Sequence, residues 1–541
     1  MLEIEFVAVL APDAHMDRRL AFRLQAPRLC VIVGHGEASL ASDGRRCPPP
    51  SSENLANFNS IHGKASEHLT MKITLIGHAA ILVETRGVRI LSDPWWQGPC
   101  FGAQWWPQRK PWLEPLSEAP PDFIYLSHGH GDHFHAGTMR RMPKTAKVLV
   151  SNSIGLEGPV ADMGFDVIAL APKEVREIAP QLRVEVSPVI PERGGDTFLV
   201  IDDGNEICFN LNDALHAAPK FIQEQITNDL TRRYGAADYV FCGYGTASHF
   251  PNCFRIPGKD DYATAARRQG HFNAAWAAIV AKLQPRFAFP FAADVAILDH
   301  DLLWTNEPVH NVDRPTHRFR AMHPASPTNV FDIAPGFTID TGTVTREILF
   351  EKVKADEISL VRADDILKAN TVKPPTRSEV GGLADALRQH TRHCAAYLRE
   401  FKGDYRFLIV LKATDTGIQI IKSGNSVDVF LTDEPTDRST YDLVFTTRYS
   451  YLRRAVLTEY GHEIIFVGSG GLWEYRNRAI AETNLHRELA ILLRKIDTPP
   501  RSRFGDQPAW LFHGKRLIKA LLTKSSENDL YDLSAWTVFK I

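Results

Sequence analysis

Short runs of β-branched and aromatic residues dominate the chain from Met71 onward. The first runs are KITLIG, AAILVET and VRILSD, and FIYLSHG follows them just before a cluster of histidines. Runs of about four to eight such residues, bounded by Gly, Pro, Asn or Asp, predict β-strands. The same pattern continues in KVLVSN, FDVIAL, RVEVSPVI, TFLVIDD and EICFNLND.

Helical patterns interleave with these runs. Residues 217–230 and residues 262–283, the latter with an Ala-rich face, repeat apolar positions at helical spacing. After residue 288 the chain is rich in Pro and His and is typical of a loop. Strands and helices that alternate in this way predict an α/β (α+β) domain over residues 71–345, in which helices cover a pair of sheets as an αββα sandwich.

A second, C-terminal α+β domain is predicted over residues 346–541. Its pattern begins with a linker at residues 373–382 (KPPTRSEVGG) and a helix at residues 383–401. The runs RFLIVLKA, GIQIIKSG, SVDVFLTD and YDLVFTTR then predict a β-meander, and residues 480–495 predict a closing helix.

Residues 1–70 lack such patterning. The stretch CPPPSSENLANFNS has no apolar period, so the sequence predicts a weakly structured N-terminal extension. Two interpretations stay open: Met71 is the biological start, or the extension is translated as a loosely docked tail.

Length and charge narrow the class of protein. A chain of 541 residues exceeds one compact core, so two or more domains are expected. With 62 basic and 64 acidic residues the formal charge is −2. The chain therefore lacks the excess positive charge that would predict binding to nucleic acid or an anionic membrane. Apolar runs are too short for a predicted membrane span. Seven scattered cysteines without a C-x-x-C pair, and a start without signal-peptide pattern, indicate a reducing compartment and a cytoplasmic protein.

The segment LSHGHGDHFH contains the most informative chemistry. It reads H-x-H-x-D-H, with His128, His130, Asp132 and His133. Alternate residues at a strand end point the same way, so His128 and His130 can bind one cation. Asp132 and His133 lie just beyond and can turn toward a second cation. Two divalent cations so placed activate a water and polarise a substrate.

This segment resembles the metallo-β-lactamase superfamily. The neighbouring motifs occur in the same order as in that superfamily: G-H-A at 77–79, S-D-P at 92–94, then the histidine motif. The branch with ascorbate-6-phosphate lactonase and N-acyl-phosphatidylethanolamine phospholipase D is similar, and the strongest likeness is to the metallo-β-lactamase domain of CMP-N-acetylneuraminate hydroxylases. The stretches that carry this likeness are SDPWWQGPCFGAQWW, LSHGHGDHF, FNLNDA, FCGYGTASHFPNCF and LQPRFAFPFA. The resemblance implies the αββα sandwich and a site for two divalent metal ions, zinc foremost, with iron or manganese as alternatives.

The resemblance also implies further ligands. Asp213 matches the carboxylate that bridges the two metals, and it ends the apolar run EICFNLN as a strand-end ligand would. His300 stands where the late histidine of the second metal site is expected, with His249 and His310 as rivals.

The sequence departs from the family's ligand pattern at the first metal site. The family supplies a third histidine between the motif and the bridging carboxylate, but here Ile190 stands near that position. Glu192 is then the nearest candidate, and a carboxylate would suit iron or manganese better than a His-rich zinc site. A solvent-exposed loop Glu is the alternative.

Other residues near the motif have structural and functional interpretations. His78 can hydrogen-bond a metal ligand from beneath or be a satisfied core histidine. His135 can contact substrate or begin a helix. The doublets Trp95–Trp96 and Trp105–Trp106 can wall a substrate pocket or pack a long loop. The C-terminal region resembles sterol-carrier-like modules.

Three functional hypotheses follow. The first is a dinuclear metal-dependent hydrolase of a small phosphorylated or sugar-acid ester, lactone or phosphodiester, in which Asp132 orients the attacking water or accepts its proton. The second is a monooxygenase like CMP-N-acetylneuraminate hydroxylase, or a di-iron oxygenase. Because the C-x-H and C-x-x-H pairs of a Rieske cluster do not occur, it would need a separate Rieske or ferredoxin-type electron donor. The third is a non-catalytic scaffold with a degraded metal site.

Overall fold

The computed structural model describes residues 70–189, 196–245, 249–307, 313–350, 355–394, 403–433, 437–458, 461–483, 485–490 and 492–495. The predicted extension of residues 1–70 therefore lies, apart from Thr70, outside the described residues. The described residues, from Thr70 onward, belong to one compact unit. A division of this unit after residue 345 stays a prediction.

The strands of the described residues are short, as the sequence predicts. In chain order they are β1 (Lys72–Gly77), β2 (Ala80–Thr85), β3 (Val88–Ser92), β4 (Trp105–Pro107), β5 (Phe123–Tyr125), β6 (Lys147–Ser151), β7 (Asp166–Leu170), β8 (Val175–Ala179), β9 (Leu182–Pro188), β10 (Thr197–Asp202), β11 (Ile207–Asn212), β12 (Tyr239–Gly243), β13 (Phe254–Arg255), β14 (Phe287–Phe291), β15 (Val295–Ile297), β16 (Asn329–Val330), β17 (Thr338–Asp340), β18 (Thr343–Arg346), β19 (Tyr405–Leu411), β20 (Thr416–Ser423), β21 (Ser426–Asp433), β22 (Leu443–Thr447) and β23 (Gly471–Tyr475).

The helices of the described residues range from single turns to one long helix. They are α1 (Glu114–Glu118), α2 (Ala136–Met139), α3 (Glu157–Ala161), α4 (Lys220–Tyr234), α5 (His249–Asn252), α6 (Asp261–Leu283), α7 (Pro315–Met322), α8 (Ala355–Val361), α9 (Ala363–Asn370), α10 (Arg377–His393), α11 (Tyr449–Leu457), α12 (Glu463–Phe466), α13 (Arg478–Glu482) and α14 (Leu485–Ala490). Single 3₁₀ turns cover Phe101–Ala103 and Leu303–Thr305.

Two mixed sheets pack face to face. The first has the order β18-β17-β1-β2-β3-β5-β6-β7, and the second has the order β16-β14-β12-β11-β10-β9-β8. Ile73 of the first sheet and Phe241 of the second lie in the core between them. Trp276 on α6 covers the outer face of the second sheet, and Met139 on α2 covers the outer face of the first. The predicted αββα sandwich is confirmed.

The C-terminal sheet has the order β13-β23-β22-β19-β20-β21. Its strands β19, β20 and β21 form the predicted antiparallel meander, but β22 returns to pair with β19 in parallel. The parallel pair β13–β23 brings Phe254–Arg255, from the region before residue 345, into this sheet. The C-terminal region is therefore joined to the sandwich by backbone hydrogen bonds.

The helix predictions need corrections. Helix α6 begins one residue before the predicted 262–283, and α4 is shifted toward the C-terminus of the predicted 217–230. The loop predicted after residue 288 contains α7, which has Pro at its first position. The linker predicted at residues 373–382 is wrong beyond Thr376, because Thr376 and Glu379 form a reciprocal capping box that begins α10. Two glycines in the segment obscured that signal.

Candidate metal centre

The histidine motif occupies the loop that follows β5 at one edge of the sandwich. The backbone N–H groups of His133 and Phe134 both donate to the carbonyl of His130, at 3.0 and 2.8 Å, so the loop turns back on itself. This turn directs the side chains of Asp132 and His133 inward. His128 and Asp132 are buried and His133 is fully buried.

A first group of potential ligands contains His128, His130 and Asp196. His128 Nε2 lies 2.8 Å from His130 Nδ1 and 3.7 Å from a carboxylate oxygen of Asp196. Asp196 reaches this position because the next residue is tied to the metal loop: the backbone N–H and the hydroxyl of Thr197 donate to the carbonyl of Ser127, at 3.2 and 2.7 Å. Imidazole and carboxylate donors in this arrangement suit a divalent transition metal.

A second group contains His78, Asp132 and His133. His133 Nε2 lies 3.3 Å from Asp132 Oδ2, and His78 Nε2 lies 3.2 Å from the same oxygen. His78 follows β1 with a φ of 33°, a left-handed conformation that a non-glycine residue seldom adopts. Such strain is characteristic of functional sites.

Asp213 connects the two groups. Its carboxylate lies 3.9 Å from His128 Nδ1 and 3.4 Å from His133 Nε2, and these residues form a third group of potential ligands. Asp213 follows β11, where Asn212 has a φ of 50°. Gly243 on the neighbouring β12 makes room for this turn, since a Cβ there would lie 2.7 Å from Asp213 Cα.

A buried carboxylate behind the ligands orients them. Asp93 accepts hydrogen bonds from the Ser127 backbone N–H at 2.8 Å, from the Ser127 hydroxyl at 2.7 Å and from the side chain of Asn212. His133 Nδ1 lies 3.1 Å from Asp93 Oδ2, so its proton is held on Nδ1 and Nε2 faces the cluster. Partners of this kind fix the tautomer of a metal-binding histidine.

Burial and the charges within the cluster together shift the pKa values of its side chains. Burial alone would raise the pKa of Asp132, but the charge of His133 and the hydrogen bonds from His133 and His78 hold it well below the usual value. Burial would lower the pKa of His133, but the carboxylates of Asp213 and Asp132 raise it well above the usual value. Burial, reinforced by the charge of His128, lowers the pKa of His130. Burial would also raise the pKa of Asp213, but the charges of His133 and His128 lower it, so Asp132 and Asp213 are both in the ionised form that binds metal.

The donor set fits divalent metal ions. Asp132 Oδ1 and Asp213 Oδ1 are buried atoms without hydrogen-bond partners. Buried polar atoms of this kind carry a desolvation penalty unless an ion or water satisfies them. The cluster opens to solvent on the side of His130, Asp196 and Asp213, which are partly exposed. A substrate would reach the ions from this side.

The predicted ligands His128, His130, Asp132, His133 and Asp213 lie together, but His300 does not join them. The side chain of His300 is exposed, and its backbone N–H donates to Asn370 Oδ1 at 3.0 Å. The preceding Asp299 pairs with Arg448 at 3.0 Å and Lys412 at 3.3 Å, which turns this segment toward the C-terminal region.

The other predicted candidates have different outcomes. His249 packs between Phe254 and Phe466 and belongs to none of the ligand groups among the described residues. His310, Ile190 and Glu192 lie outside the described residues. Asp196 was not predicted as a ligand. Its only distinguishing feature in the sequence is its position after two glycines and directly before a predicted strand.

Two further expectations concern the surroundings of the loop. His135 begins α2, where its Nδ1 accepts a hydrogen bond from the Thr138 backbone N–H at 3.1 Å, so it has the helix-start role. Trp95 is buried with its ring 5.1 Å from that of His78, and Trp105 packs edge-on against Phe101 at 4.8 Å. These tryptophans therefore support the loop and its ligands.

Comparison with known proteins shows what this part of the chain is similar to. Residues 72–220 match the model of the beta-lactamase superfamily domain. A protein of Mycobacterium tuberculosis, provisionally named a Rieske 2Fe-2S iron-sulfur protein, is 27% identical over 249 residues, which are 44% of this chain and 46% of the relative. The mouse cytidine monophosphate-N-acetylneuraminic acid hydroxylase is 27% identical over 239 residues, 41% of this chain and 39% of the relative. The matched part spans less than half of either relative.

Among solved structures, a metallo hydrolase of the archaeon Ignicoccus hospitalis aligns with 50% of this chain and 98% of its own, at 20% identity and a TM-score of 0.35. In the part of the chain that the structure describes, no helix has the length and apolar character needed to cross a membrane. The family match over residues 72–220, together with the αββα sandwich and the ligands at its edge, identifies a metallo-β-lactamase fold with a candidate divalent metal centre.

Proposed function

We propose that the protein is a dinuclear metal-dependent hydrolase of a small phosphorylated or sugar-acid ester, lactone or phosphodiester. The observation that supports it is the linkage of the ligand groups, because Asp213 lies between His128 of the first group and His133 of the second. Two divalent cations held this way would polarise the substrate and acidify an attacking water.

Each ligand has a defined part in this proposal. His128, His130 and Asp196 would hold one ion, Asp132 and His133 would hold the other, and Asp213 would contact both; these residues share one loop and two strand ends. Asp132 is fixed by His78 and His133 and stays ionised, so its free oxygen can orient a water by accepting a hydrogen bond. His78 supports this carboxylate through its Nε2, which lies 3.2 Å from Asp132 Oδ2.

The identity of the metal depends on the carboxylates. Zinc is the expected ion for a histidine-rich site, and iron or manganese are the alternatives. With Asp196 in the first group and Asp213 shared, oxygen donors make up a large part of the described set, and oxygen donors favour harder ions. We propose the cytoplasm as the location, since Cys100, Cys208, Cys242, Cys253 and Cys394 are buried and unpaired.

A second candidate function is oxygen chemistry with iron in the same site. The curated relatives supply the observation that favours it, since their names include a hydroxylase and a Rieske 2Fe-2S protein. The sequence lacks the C-x-H and C-x-x-H pairs of a Rieske cluster, so electrons would come from a separate Rieske or ferredoxin-type protein.

Metal analysis tests both candidates. The protein would be purified without chelator from cells supplied with zinc and iron, beside a His128→Ala/His130→Ala double variant and a His300→Ala control. Zinc or manganese that is lost in the double variant, with hydrolysis of phosphoesters or lactones, supports the hydrolase. Iron with reductant-dependent oxygen uptake supports the oxygenase. Protein that cannot be loaded with any of these metals contradicts both and favours a scaffold.

A further inference from the structure

The loop that precedes the metal ligands packs into the C-terminal region. Phe101 and Trp105 of this loop belong to the same apolar core as Leu452 on α11 and Trp473 on β23. Phe101 is only 7% exposed, although it lies more than three hundred residues before these partners in the chain. The loop therefore depends on the C-terminal region for its packing.

The backbone of the loop is strained at the same place. Phe101 has a φ of 47° and Gly102 has a φ of 66°, so both residues are in the left-handed region. A bulky residue seldom adopts this conformation, which persists only where surrounding contacts hold it. Gly102 also makes room for Tyr451, because a Cβ there would lie 2.7 Å from the Tyr451 ring.

Two residues of the C-terminal region supply contacts that hold the loop. Tyr451 of α11 donates its hydroxyl to the carbonyl of Gly102 at 2.5 Å and accepts a hydrogen bond from Gln104 Nε2 at 2.5 Å. Gly468, just after α12, lies so close to Phe101 that a Cβ at this glycine would be 2.4 Å from Phe101 Cβ. Tyr451 thus fixes the backbone after Phe101, and Gly468 limits where the Phe101 side chain can lie.

Phe101 in turn packs against the histidine motif. Its ring centroid lies 6.4 Å from that of His130, with the planes inclined by 65°, an attractive edge-to-face geometry for aromatic rings. The loop contacts the motif again at Gly131, where a Cβ would lie 3.3 Å from Cys100 Cβ and 3.9 Å from the Phe101 ring. One aromatic side chain therefore connects the C-terminal region to a predicted metal ligand.

His130 needs such support more than His128 does. His128 is buried, and its Nδ1 lies 2.9 Å from the Ser127 hydroxyl. His130 is partly exposed, and within the described residues its ring is hydrogen-bonded to His128 alone. When both imidazoles bind one ion, that hydrogen bond is lost, and packing against Phe101 is left to orient the His130 ring. A ligand that is oriented in advance binds metal more tightly.

We propose that the C-terminal region sets the affinity of the metal centre for the ion at His130. Tyr451 and Gly468 hold Phe101 where its ring restricts the rotation of this imidazole. All three are positioning residues, since they act on the ion through His130. This inference rests on the metal centre of the proposed function, and it gives the C-terminal region a role in that centre.

The first test is Gly468→Ala, with Gly470→Ala as the matched control. A Cβ at either glycine would crowd the Ile464 carbonyl oxygen, at 2.9 Å from Gly468 and 2.5 Å from Gly470, but it would overlap Phe101 only at Gly468. Each metal-free protein would be titrated with Co²⁺ against a competing chelator, and visible absorption would follow the binding of each ion. Urea unfolding of the metal-free proteins measures the strain that both variants share.

The second test is Tyr451→Phe, with Tyr475→Phe as the matched control. Tyr451→Phe keeps the ring and removes the hydroxyl that bonds the loop. Tyr475 is about as buried as Tyr451, and its hydroxyl lies 2.5 Å from His486 Nδ1 within the C-terminal region. Tyr451→Phe decides the question if Gly468→Ala does not fold.

We expect Gly468→Ala and Tyr451→Phe to weaken the binding of one Co²⁺ ion roughly tenfold or more and to leave the other within about threefold. The two control variants should match the wild type for both ions, although each lowers the midpoint of urea unfolding. In a Phe101→Gly background, Gly468→Ala should weaken binding by less than about twofold further, because the side chain through which it acts is gone. Glycine adopts the φ of this position without strain.

The outcomes separate this inference from the proposed function. Wild-type affinity for both ions in either folded test variant overturns the inference and leaves the metal centre standing. Equal losses in the matched controls overturn it as well, because general strain would then be the cause. A full further loss in the Phe101→Gly background also overturns it, because Phe101 would not be the connection. Failure of the wild type to bind Co²⁺ overturns the proposed function and this inference with it.

Discussion

Asp93 is the buried carboxylate on which the orientation of His133 depends, and Asp93→Asn tests the support behind the metal ligands. The substitution keeps the shape of the side chain and replaces one acceptor oxygen with an NH₂ donor. Asp93 Oδ1 accepts from the Ser127 backbone N–H at 2.8 Å. Asp93 Oδ2 accepts from the Ser127 hydroxyl, His133 Nδ1 and Asn212 Nδ2. Either orientation of the new amide therefore opposes donor to donor.

The geometry indicates which orientation the variant adopts and what it loses. An amide nitrogen at the Oδ1 position gives up the single bond to Ser127 N–H, whereas one at the Oδ2 position gives up three bonds. The milder orientation leaves two buried donors facing each other, the Ser127 N–H and the new amide N–H, and each unsatisfied donor costs about 1–3 kcal/mol. The neutral oxygen also holds His133 less firmly than a carboxylate does, so metal affinity should fall roughly 10–100-fold.

Chelator competition with Zn²⁺ measures the affinity, and urea unfolding of the metal-free protein measures the stability. Asp122→Asn is the control, because Asp122 is an exposed carboxylate that accepts a hydrogen bond from the Arg89 backbone N–H at 2.8 Å in the same sheet. The reasoning is refuted if Asp93→Asn binds zinc within about threefold of the wild type. Equal loss of affinity in both variants would also refute it, because the effect would not belong to the metal centre.

Further substitutions distinguish ligands from their surroundings. His300→Ala should leave the metal content unchanged in elemental analysis; a loss of one ion per chain would restore His300 as a ligand. Gly243→Ala should weaken metal binding in chelator competition, since its Cβ would lie 2.7 Å from Asp213 Cα, whereas Gly381→Ala has open space in α10 and should not. Thr376→Ala should lower the free energy of unfolding in urea by about 1 kcal/mol through loss of the α10 cap, and an unchanged value would contradict the capping assignment.

The sandwich and the core of the site could be predicted because their signals are local. Strand runs of a few residues carry their own periodicity, and the H-x-H-x-D-H loop places four ligands on one short segment after a strand. Asp213 was predicted from the family resemblance, and its position at the end of an apolar run supported that prediction. Local patterns and the family resemblance therefore indicated most of the donor set and the fold that carries it.

The rest depends on contacts between distant parts of the chain. Asp196 lies beside the metal loop because Thr197 donates hydrogen bonds to Ser127. No local sequence pattern predicts these bonds. His300 was placed by the order of family motifs, but ion pairs of the preceding residue with the C-terminal region turn it away. The C-terminal region approaches the centre through the close contact of Gly468 with Phe101, more than three hundred residues earlier in the chain.

The carboxylates of this site need positive charge to balance their own. Carboxylates so close together in a partly buried site repel one another by several kcal/mol at a reduced dielectric, and the single positive charge of His133 offsets only part of that repulsion. Two divalent cations supply the four positive charges that neutralise the four carboxylates around the histidines, which are Asp93, Asp132, Asp196 and Asp213. Those four are committed to holding the ions and their ligands.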